Sequence, residues 1–303
     1  MSFAQGSRTG LSYVVETTFG VTPDTPSMVA VPFNTHSLSL KKDAIESAEI
    51  RSDRQVAVFR HGNKQINGDI EVEFRADDYD DFLESAFMGE IDSFGILKVG
   101  TTPKYLTIED SALDIVQYRR FTGCAVNTLS MTIKPNEIVK MQMGIIGKDM
   151  TTAQLPLDSS ITDASGQDPF DSFSGTILEG GVSLANVSSL EFTIENGMAP
   201  TFVIGSDVTP QLEFGRAKVS GTMQAYFENL NLLNKFINET PSTLEFSLTD
   251  GVSGNTYTFL FPNIKYSGGD LPVQNEQSKM ISLPFVALLD STEETNLKLT
   301  IGN

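Results

Sequence analysis

A nine-residue stretch decides the fold class: Ile66-Asn67-Gly68-Asp69-Ile70-Glu71-Val72-Glu73-Phe74. Its apolar residues alternate with Asn, Asp and Glu, which predicts an antiparallel strand with one buried face and one acidic face in water. A second stretch has the same form: Val219-Ser220-Gly221-Thr222-Met223-Gln224-Ala225-Tyr226-Phe227. Both begin with an apolar residue, carry Gly two positions later and end in Phe.

The surrounding segments also occur in pairs. A run with helical spacing follows each stretch, Tyr79 to Phe87 in one case and Leu230 to Asn238 in the other. Further pairs precede and follow the two stretches: Ser37–Leu40 with Ser189–Phe192, Ser52-Asp53 with Ser206-Asp207, Gly62 with Gly215, Val139–Met141 with Met280–Ser282, and Ile145–Asp149 with Val286–Asp290. Chance similarity between two β-rich halves is the alternative, but one order shared over so long a span favours an internal duplication.

The duplication predicts two tandem domains, each mainly β. We expect an N-terminal arm at residues 1–34, a first domain at 35–150, a linker at 151–181 and a second domain at 182–303. The arm and linker are rich in Gly, Pro, Ser and Thr, which is typical of turns and loose connections. Each domain is predicted to be a small β-sandwich or half-barrel with one short α-helix.

Composition narrows the functional classes. The 303 residues carry a net charge of −18. The first 150 residues hold 15 basic and 21 acidic side chains, and the remainder holds 6 and 18. Such a balance argues against a general duplex-DNA binder and against docking on an anionic membrane. No N-terminal leader or membrane span is expected, so the protein is predicted to be made and kept soluble in the cytoplasm.

No catalytic or metal-binding pattern stands out. The two histidines, His36 and His61, lie in predicted loops, and the single cysteine, Cys124, lies in an apolar run typical of a core. Phosphate-binding and nucleotide-binding glycine motifs are absent. The acidic cluster at 77–81 is interpreted as a solvated helix N-terminus rather than a calcium site. We therefore expect no enzyme activity and no cofactor.

Two long polar excursions interrupt the predicted strands, at Asp43 to Lys64 and at Asn196 to Lys218. Loops of this size in a compact domain are usually functional. The arginines of the first excursion, Arg51, Arg54 and Arg60, are interpreted either as part of a solvated loop or as an interface, and the interface is favoured because Arg pairs well with carboxylates on a neighbour. The candidate contact residues are Arg51, Asp53, Arg54, Arg60, Lys64 and Asp207.

The N-terminal third of the chain resembles a known family. The resemblance covers roughly residues 8–90 and is carried by four segments: Gly10 to Pro23 (GLSYVVETTFGVTP), Glu49 to Gln55 (EIRSDRQ), Arg60 to Lys64 (RHGNK) and Gly68-Asp69-Ile70. These segments are similar to the tail tube, or major tail, proteins of long-tailed bacteriophages. The second half matches only through the internal repeat and lacks the arginines.

The resemblance implies a structural subunit of the virion that self-associates into rings and stacks them into a hollow tube. It implies a continuous β-barrel around the lumen, a long loop that bridges to the next ring, and passage of phage DNA without specific binding. Tape measure, tail tip and tail terminator proteins are the implied partners. Each predicted domain also has exposed strand edges. Such edges pair with neighbouring subunits or are removed when a sheet closes into a barrel, which agrees with self-association into rings.

Two finer expectations follow. An acidic strand face would line the lumen and repel DNA, with Asp69, Glu71, Glu73 and Gln224 as wall candidates. Since family rings are typically sixfold, two domains per chain predict a trimeric, pseudo-hexameric ring. A true hexamer with the second domain outside is the alternative. A carbohydrate- or receptor-binding β-sandwich module of the tail is the alternative function, although the chain has no Trp.

Overall fold

A computed structural model describes residues 3–173, 175–250, 254–272 and 278–302. The described chain is mainly antiparallel β-structure with two short α-helices, α1 (Asp80–Phe87) and α2 (Asn231–Ile237). The strands in chain order are β1 (Thr9–Glu16), β2 (Val29–Ala30), β3 (Thr35–His36), β4 (Ser39–Glu46), β5 (Phe59–Glu73), β6 (Ile96–Lys98), β7 (Tyr105–Ala112), β8 (Gln117–Ile133), β9 (Lys140–Gly147), β10 (Asp149–Ala153), β11 (Gly175–Glu179), β12 (Val182–Ser183), β13 (Val187–Glu195), β14 (Ala199–Pro200), β15 (Leu212–Glu213), β16 (Lys218–Tyr226), β17 (Ser242–Thr249), β18 (Thr256–Tyr266), β19 (Met280–Ala287) and β20 (Lys298–Gly302).

One long sheet, here called the main sheet, runs through both halves of the chain. Its strand order is β4-β5-β9-β8-β13-β16-β19-β18. The junction between the halves is the antiparallel pair β8–β13, where Leu190 lies opposite Ile133 and Glu195 opposite Thr128. The two halves therefore share a hydrogen-bonded sheet and are not joined by a flexible connection alone.

A second layer covers one face of the main sheet. In the first half its strands are β10, β8, β7, β1 and β2, and in the second half they are β6, β20, β18, β17, β11 and β12. Strands β8 and β18 bend, so their first parts belong to this layer and their later parts to the main sheet. Strand β6 comes from the first half yet pairs with β20 of the second.

The hydrophobic core lies between the two layers and is continuous from one half to the other. The alternation in β5 places Ile66, Ile70 and Val72 in it, each fully buried. Phe74 at the end of that stretch packs against Phe170 and Tyr257, with ring centroids 5.3 Å away in both pairs. Because Tyr257 belongs to the second half, this aromatic cluster also joins the halves.

The strand registers of the two halves can be compared directly. Ile66 of β5 lies opposite Gly147 of β9, and Val219 of β16 lies opposite Ala287 of β19. The β7–β8 pair is shifted by a bulge between Leu106 and Ile108, and the β17–β18 pair by one between Ser242 and Leu244.

If Ile66–Phe74 and Val219–Phe227 are equivalent, as the predicted duplication requires, this register corrects two of the alignments made from sequence. Leu40 pairs with Ile66 as Ile194 pairs with Val219, so the segment 37–40 corresponds to 191–194 and not to Ser189–Phe192. The closing strands are offset by one residue from the sequence alignment, since Gly147 corresponds to Ala287. The shift of the 37–40 segment is two residues. A shift of two keeps the same side chains on the buried face, so the apolar pattern did not reveal it.

The segments predicted as the N-terminal arm (residues 1–34) and the linker (residues 151–181) are folded onto the body of the chain. Strand β1 pairs with β7 along its whole length and buries Leu11 and Tyr13. The predicted linker 151–181 contains most of β10 and all of β11, and Phe170 between them is buried against Phe74. Their Gly, Pro and Ser content predicted flexible connections. Their few apolar side chains are nevertheless enough to pack them against the sheet.

Candidate assembly surfaces

The face of the main sheet turned away from the core is mostly polar, with Pro284 and Val286 of β19 as apolar exceptions, and is uncovered by the described chain; it is called the polar face here. Strand alternation and register place one set of side chains on it: Asn67, Asp69, Glu71, Glu73, Lys140, Gln142, Thr128, Ser130, Thr132, Glu191, Thr193, Glu195, Lys218, Ser220, Thr222 and Gln224. All of them are exposed or half-buried. The predicted wall residues Asp69, Glu71, Glu73 and Gln224 are thus brought together on one face.

The polar face is acidic and rich in hydroxyl groups. Its central strands, β8, β13 and β16, contribute mostly Ser and Thr, while carboxylates lie on β5 and β13. Among the residues named above, five carboxylates stand against two ammonium groups, those of Lys140 and Lys218. Lys140 Nζ lies 3.8 Å from Glu71 Oε1, an exposed pair that leaves the face net negative.

The first excursion is a protruding β-hairpin rather than a loop. Strands β4 and β5 extend into it, and residues 47–58 connect them; residues 41–63 are called the arm here. Arg51 and Asp53 at its tip form an exposed ion pair with Nη2 and Oδ2 2.7 Å apart. The arm also exposes large apolar side chains: Ile45, Ile50, Val56, Val58 and Phe59. Exposed apolar residues on a projecting hairpin are typical of a surface that meets another molecule.

The structure separates the predicted contact residues into two groups. Arg51, Asp53, Arg54 and Arg60 lie on the exposed arm. Lys64 and Asp207 instead contact each other inside the chain: Lys64 Nζ lies 3.3 Å from Asp207 Oδ2 and 3.3 Å from Asp149 Oδ1. The two carboxylates hold the pKa of the Lys64 ammonium above its ordinary value even though partial desolvation acts in the opposite direction. This three-residue contact fastens the second excursion to the first half.

The second excursion lies folded back across the β8–β13 junction. The buried side-chain amide of Asn196 donates hydrogen bonds to the carbonyl oxygens of Ala86 (2.8 Å) and Val126 (3.0 Å). Met198 and Leu212 pack with Met88, Ala125 and Ile146 in a small apolar cluster. The second half therefore covers the end of α1 in the first.

Most of the acidic cluster at 77–81 is packed: Asp77 is exposed, but Asp78, Asp80 and Asp81 contact the body of the chain, which corrects the interpretation of a solvated helix N-terminus. Asp78 is buried and accepts a hydrogen bond from Ser165 N at 2.7 Å. Asp81 accepts hydrogen bonds from Tyr13 Oη at 2.8 Å and from Lys104 Nζ. Asp80 Oδ1 accepts a hydrogen bond from Tyr257 Oη at 2.9 Å, across the two halves. Burial raises the pKa of Asp80 to about 6.

Within the described ranges, no group of three or more His, Cys, Asp and Glu side chains is placed to hold a metal ion. Cys124 is buried, and burial raises the pKa of its thiol well above the ordinary value, which makes it a core residue of low reactivity. No helix in the described part of the chain is long and apolar enough to cross a bilayer.

Two features of these surfaces escaped the sequence reasoning. The β8–β13 pair joins strands that are 54 or more residues apart and carries no local signal. The Asp80–Tyr257 hydrogen bond joins a helix N-terminus to an aromatic residue 177 positions away. A buried Tyr next to an acidic cluster could have suggested such a bond, because a buried phenol needs a polar partner.

Comparison with known families identifies the family of the chain. Residues 6–287 match the family model described as phage tail tube protein, which covers most of the 303-residue chain. No curated protein matches the chain.

Proposed function

Because the chain belongs to the phage tail tube protein family, we propose that it polymerises as stacked rings into the tube of a phage tail, the channel through which DNA is ejected. The role is structural, in the virion, after synthesis in the host cytoplasm. The observation that carries the proposal is the main sheet, with a covered face, a polar face and an outermost strand, β4, that pairs on one side only within the described residues. Such a sheet is completed by joining other sheets edge to edge.

The chain is proposed to be an internal duplication. The order strand, excursion, strand, helix, three closing strands occurs in both halves, as β4-β5-α1-β7-β8-β9 and β13-β16-α2-β17-β18-β19. Equivalent strands pair in equivalent registers, and the bulges at Leu106/Ile108 and Ser242/Leu244 fall at matching places. Two copies per chain support a ring of three chains with pseudo-sixfold symmetry.

Barrel geometry favours three chains over six. Each chain contributes eight strands to the main sheet, so three chains give 24. With strands about 4.8 Å apart and tilted about 40°, a closed barrel of 24 strands is roughly 50 Å across between backbones. Six chains joined in the same way would give roughly twice that width, far more than a channel for one duplex requires.

The polar face is proposed to line the lumen, with Asp69, Glu71, Glu73 and Gln224 in the wall. Its Ser and Thr side chains hold water, and its carboxylates repel phosphates, so DNA would slide without adhering. Screening at about 8 Å confines this repulsion to the layer next to the wall. The opposite face is already covered by the second layer, which leaves the polar face as the one that can turn inward.

The arm is proposed to contact neighbouring subunits or rings through Arg51, Asp53, Arg54 and Arg60 together with its exposed apolar side chains. Lys64 and Asp207 are proposed to take part only through their effect on the base of the arm, since they pair inside the chain. Tape measure, tail tip and tail terminator proteins are the proposed further partners, at the lumen and at the two ends of the tube.

Electron microscopy of the concentrated purified protein tests the proposal. The expected result is hollow tubes of uniform diameter with a regular axial repeat. A protein that remains a monodisperse monomer at high concentration, over a range of salt, would contradict it.

A further inference from the structure

The two ends of the main sheet are left without partners by the described residues, and the fold itself indicates how they are used. One end is the outer side of β4 and the residues before it. The other is the outer side of the segment Ser267–Leu271, which continues β18 along β19. Ser267 N and Asp270 N donate to Pro284 O and Ser282 O at 2.8 and 3.1 Å, so this segment follows β19 as a strand would.

We propose that these two edges join successive protomers of the ring: Leu38–Lys42 of one copy pairs antiparallel with Ser267–Leu271 of the next, with Ser39 opposite Asp270. The proposal rests on the ring proposed above and adds which strands meet, in which register and with which face inward. The occupant of each edge is a second copy of this chain.

The junction inside the chain is the template. There β13, the first main-sheet strand of the second half, pairs with the last part of β8 from the first half. Thr193 lies opposite Ser130, and Phe192 lies opposite Met131. A chain built from two equivalent halves presents the same two edges again at its ends, and a ring closes when they meet in the same way.

The register follows from equivalent positions. Ser39 lies opposite Asn67 as Thr193 lies opposite Ser220, so Ser39 takes the place of Thr193. Asp270 lies opposite Ser282, as Ser130 lies opposite Gln142, so Asp270 takes the place of Ser130. Both β8 and the β18 segment reach this register after a one-residue shift, between Val126 and Thr128 in one and between Tyr266 and Asp270 in the other.

Side chains at the proposed junction fall on matching faces. Leu38 is buried and Leu271 packs against the core, as the equivalent Phe192 and Met131 do. A Cβ at Gly269 would lie 2.8 Å from Leu233 Cδ1 of α2, which places this residue on the core side opposite Leu40. Ser39 and Asp270 fall on the polar face.

Lys41 falls on the polar face as well, diagonal to Asp270 of the next copy. An opposite-charge pair at this distance favours the register modestly.

Backbone groups on the β4 edge point in the required direction. Lys42 lies opposite Lys64, whose N–H donates to Asp207 O at 2.7 Å and so points away from β4. Lys42 and Lys64 therefore form a non-hydrogen-bonded antiparallel pair, in which the backbone N–H of Lys42 points away from β5, out of the sheet edge. Its equivalent, Asn196, donates its N–H to Asn127 O of β8 at 2.9 Å, which predicts a bond from Lys42 N to Ser267 O of the next copy. Leu38 O points out of the same edge and accepts a 3.5 Å contact from Arg119 Nη1 that this pairing displaces.

A disulfide test reads the register directly. In the proposed register Ser39 and Asp270 form a non-hydrogen-bonded pair, whose Cα separation of about 4.5 Å is compatible with a disulfide. The full chain carrying Ser39→Cys and Asp270→Cys is assembled into tubes, oxidised and run on a non-reducing gel. Covalent multimers ending at three chains are expected, at least tenfold above either single variant. The control, Lys42→Cys with Asp270→Cys, places the thiols on opposite faces and should give no excess. Cys124 is buried and stays out of the reaction.

A second pair of variants covers the case in which the double variant fails to assemble. Lys42→Pro removes the outward N–H but leaves the pairing with β5 intact, since that residue makes no bond inward. We expect Lys42→Pro to fold and to lose tubes, while Lys42→Ala forms them. Tubes that form without the Ser39–Asp270 disulfide, or tubes of Lys42→Pro at the normal level, would overturn this junction and leave the tube function standing. Absence of tubes from the unmodified protein would instead contradict the function.

Discussion

The two helices occupy the same place in the two halves, yet their environments differ. In α1 the side chains of Phe82, Leu83 and Phe87 are fully buried. In α2, which follows β16 as α1 follows β5, no residue is buried, and Ile237 is 62% exposed. The difference comes from the neighbours: the second half extends over the end of α1, while nothing in the described chain does the same for α2.

The two first strands show the same contrast. Strand β13 pairs on both sides, with β16 and β8, whereas β4 pairs with β5 alone. The second excursion is folded back onto the first half, and the arm projects freely. In the first half, the second half supplies a partner strand for β8 and a cover for α1. In the proposed ring, the next copy of the chain would supply the same contacts to the second half. The following predictions test this asymmetry.

The largest expected effect is on helix packing. Phe82→Ala should lower the free energy of unfolding by about 3–5 kcal/mol, because a fully buried ring that packs on Tyr13 is removed. The matched change in α2, Leu233→Ala, should cost about 1 kcal/mol in the unassembled protomer, because Leu233 is only partly buried. Denaturant unfolding of both variants in the Lys42→Pro background measures the difference. Equal losses would show that the helices are equally packed in solution.

A smaller effect is expected at the junction between the halves. Asn196→Ala removes two buried hydrogen bonds and leaves the carbonyl oxygens of Ala86 and Val126 unpaired, which should cost about 2–3 kcal/mol. The equivalent change on the free edge, Lys42→Ala, should leave protomer stability unchanged. Urea midpoints at constant slope measure both. A neutral Asn196→Ala would mean that the second excursion is not held as the structure shows.

The burial of Asp80 predicts a pH dependence of the free energy of unfolding, although the hydrogen bond from Tyr257 acts in the opposite direction. Burial raises the pKa of Asp80 from 3.8 to about 6, so the folded state is more stable when Asp80 is protonated than when it is ionised. This contribution is fully present below about pH 4 and is lost as the pH rises through about 6. The stability advantage of Asp80→Asn over the unmodified chain should therefore shrink by about 2 kcal/mol when the pH falls from 7 to 4. Unfolding of the two proteins across this range gives the difference, and a constant difference would contradict the raised pKa.

The smallest effect on the protomer is expected at the tip of the arm. Arg51→Ala combined with Arg54→Ala should leave the unfolding curve unchanged, since both side chains are exposed and the ion pair of Arg51 with Asp53 is screened by solvent. If the arm contacts other subunits, the same variant should need a higher concentration to form tubes. Sedimentation of assembled material against concentration measures this, with Glu49→Ala as a control on the same segment. Unchanged assembly would remove the arginines from the interface.

The mainly β class and the two short helices could be predicted because their signals are local. Alternation in Ile66–Phe74 marks β5, and spacing from Tyr79 to Phe87 marks α1. The packing of the N-terminal segment and of residues 151–181 against the sheet could not be predicted, because composition alone does not show which residues Leu11 or Phe170 will contact.

The candidate surfaces divide in the same way. The wall residues on β5 share a face by alternation, and their alignment with Gln224 follows from the register. The internal pairing of Lys64 with Asp207 depends on the β8–β13 junction, a contact between distant segments that no local pattern encodes. Surface residues of opposite charge are also too common in an acidic chain for their pairing to be read from sequence.

The number of chains in one ring tests the central claim most directly, and a three-dimensional reconstruction of the assembled tube measures it. We expect three chains per ring, with both halves of each chain in one continuous barrel and the polar face toward the lumen. Six chains per ring, with the second half outside the wall, would contradict it.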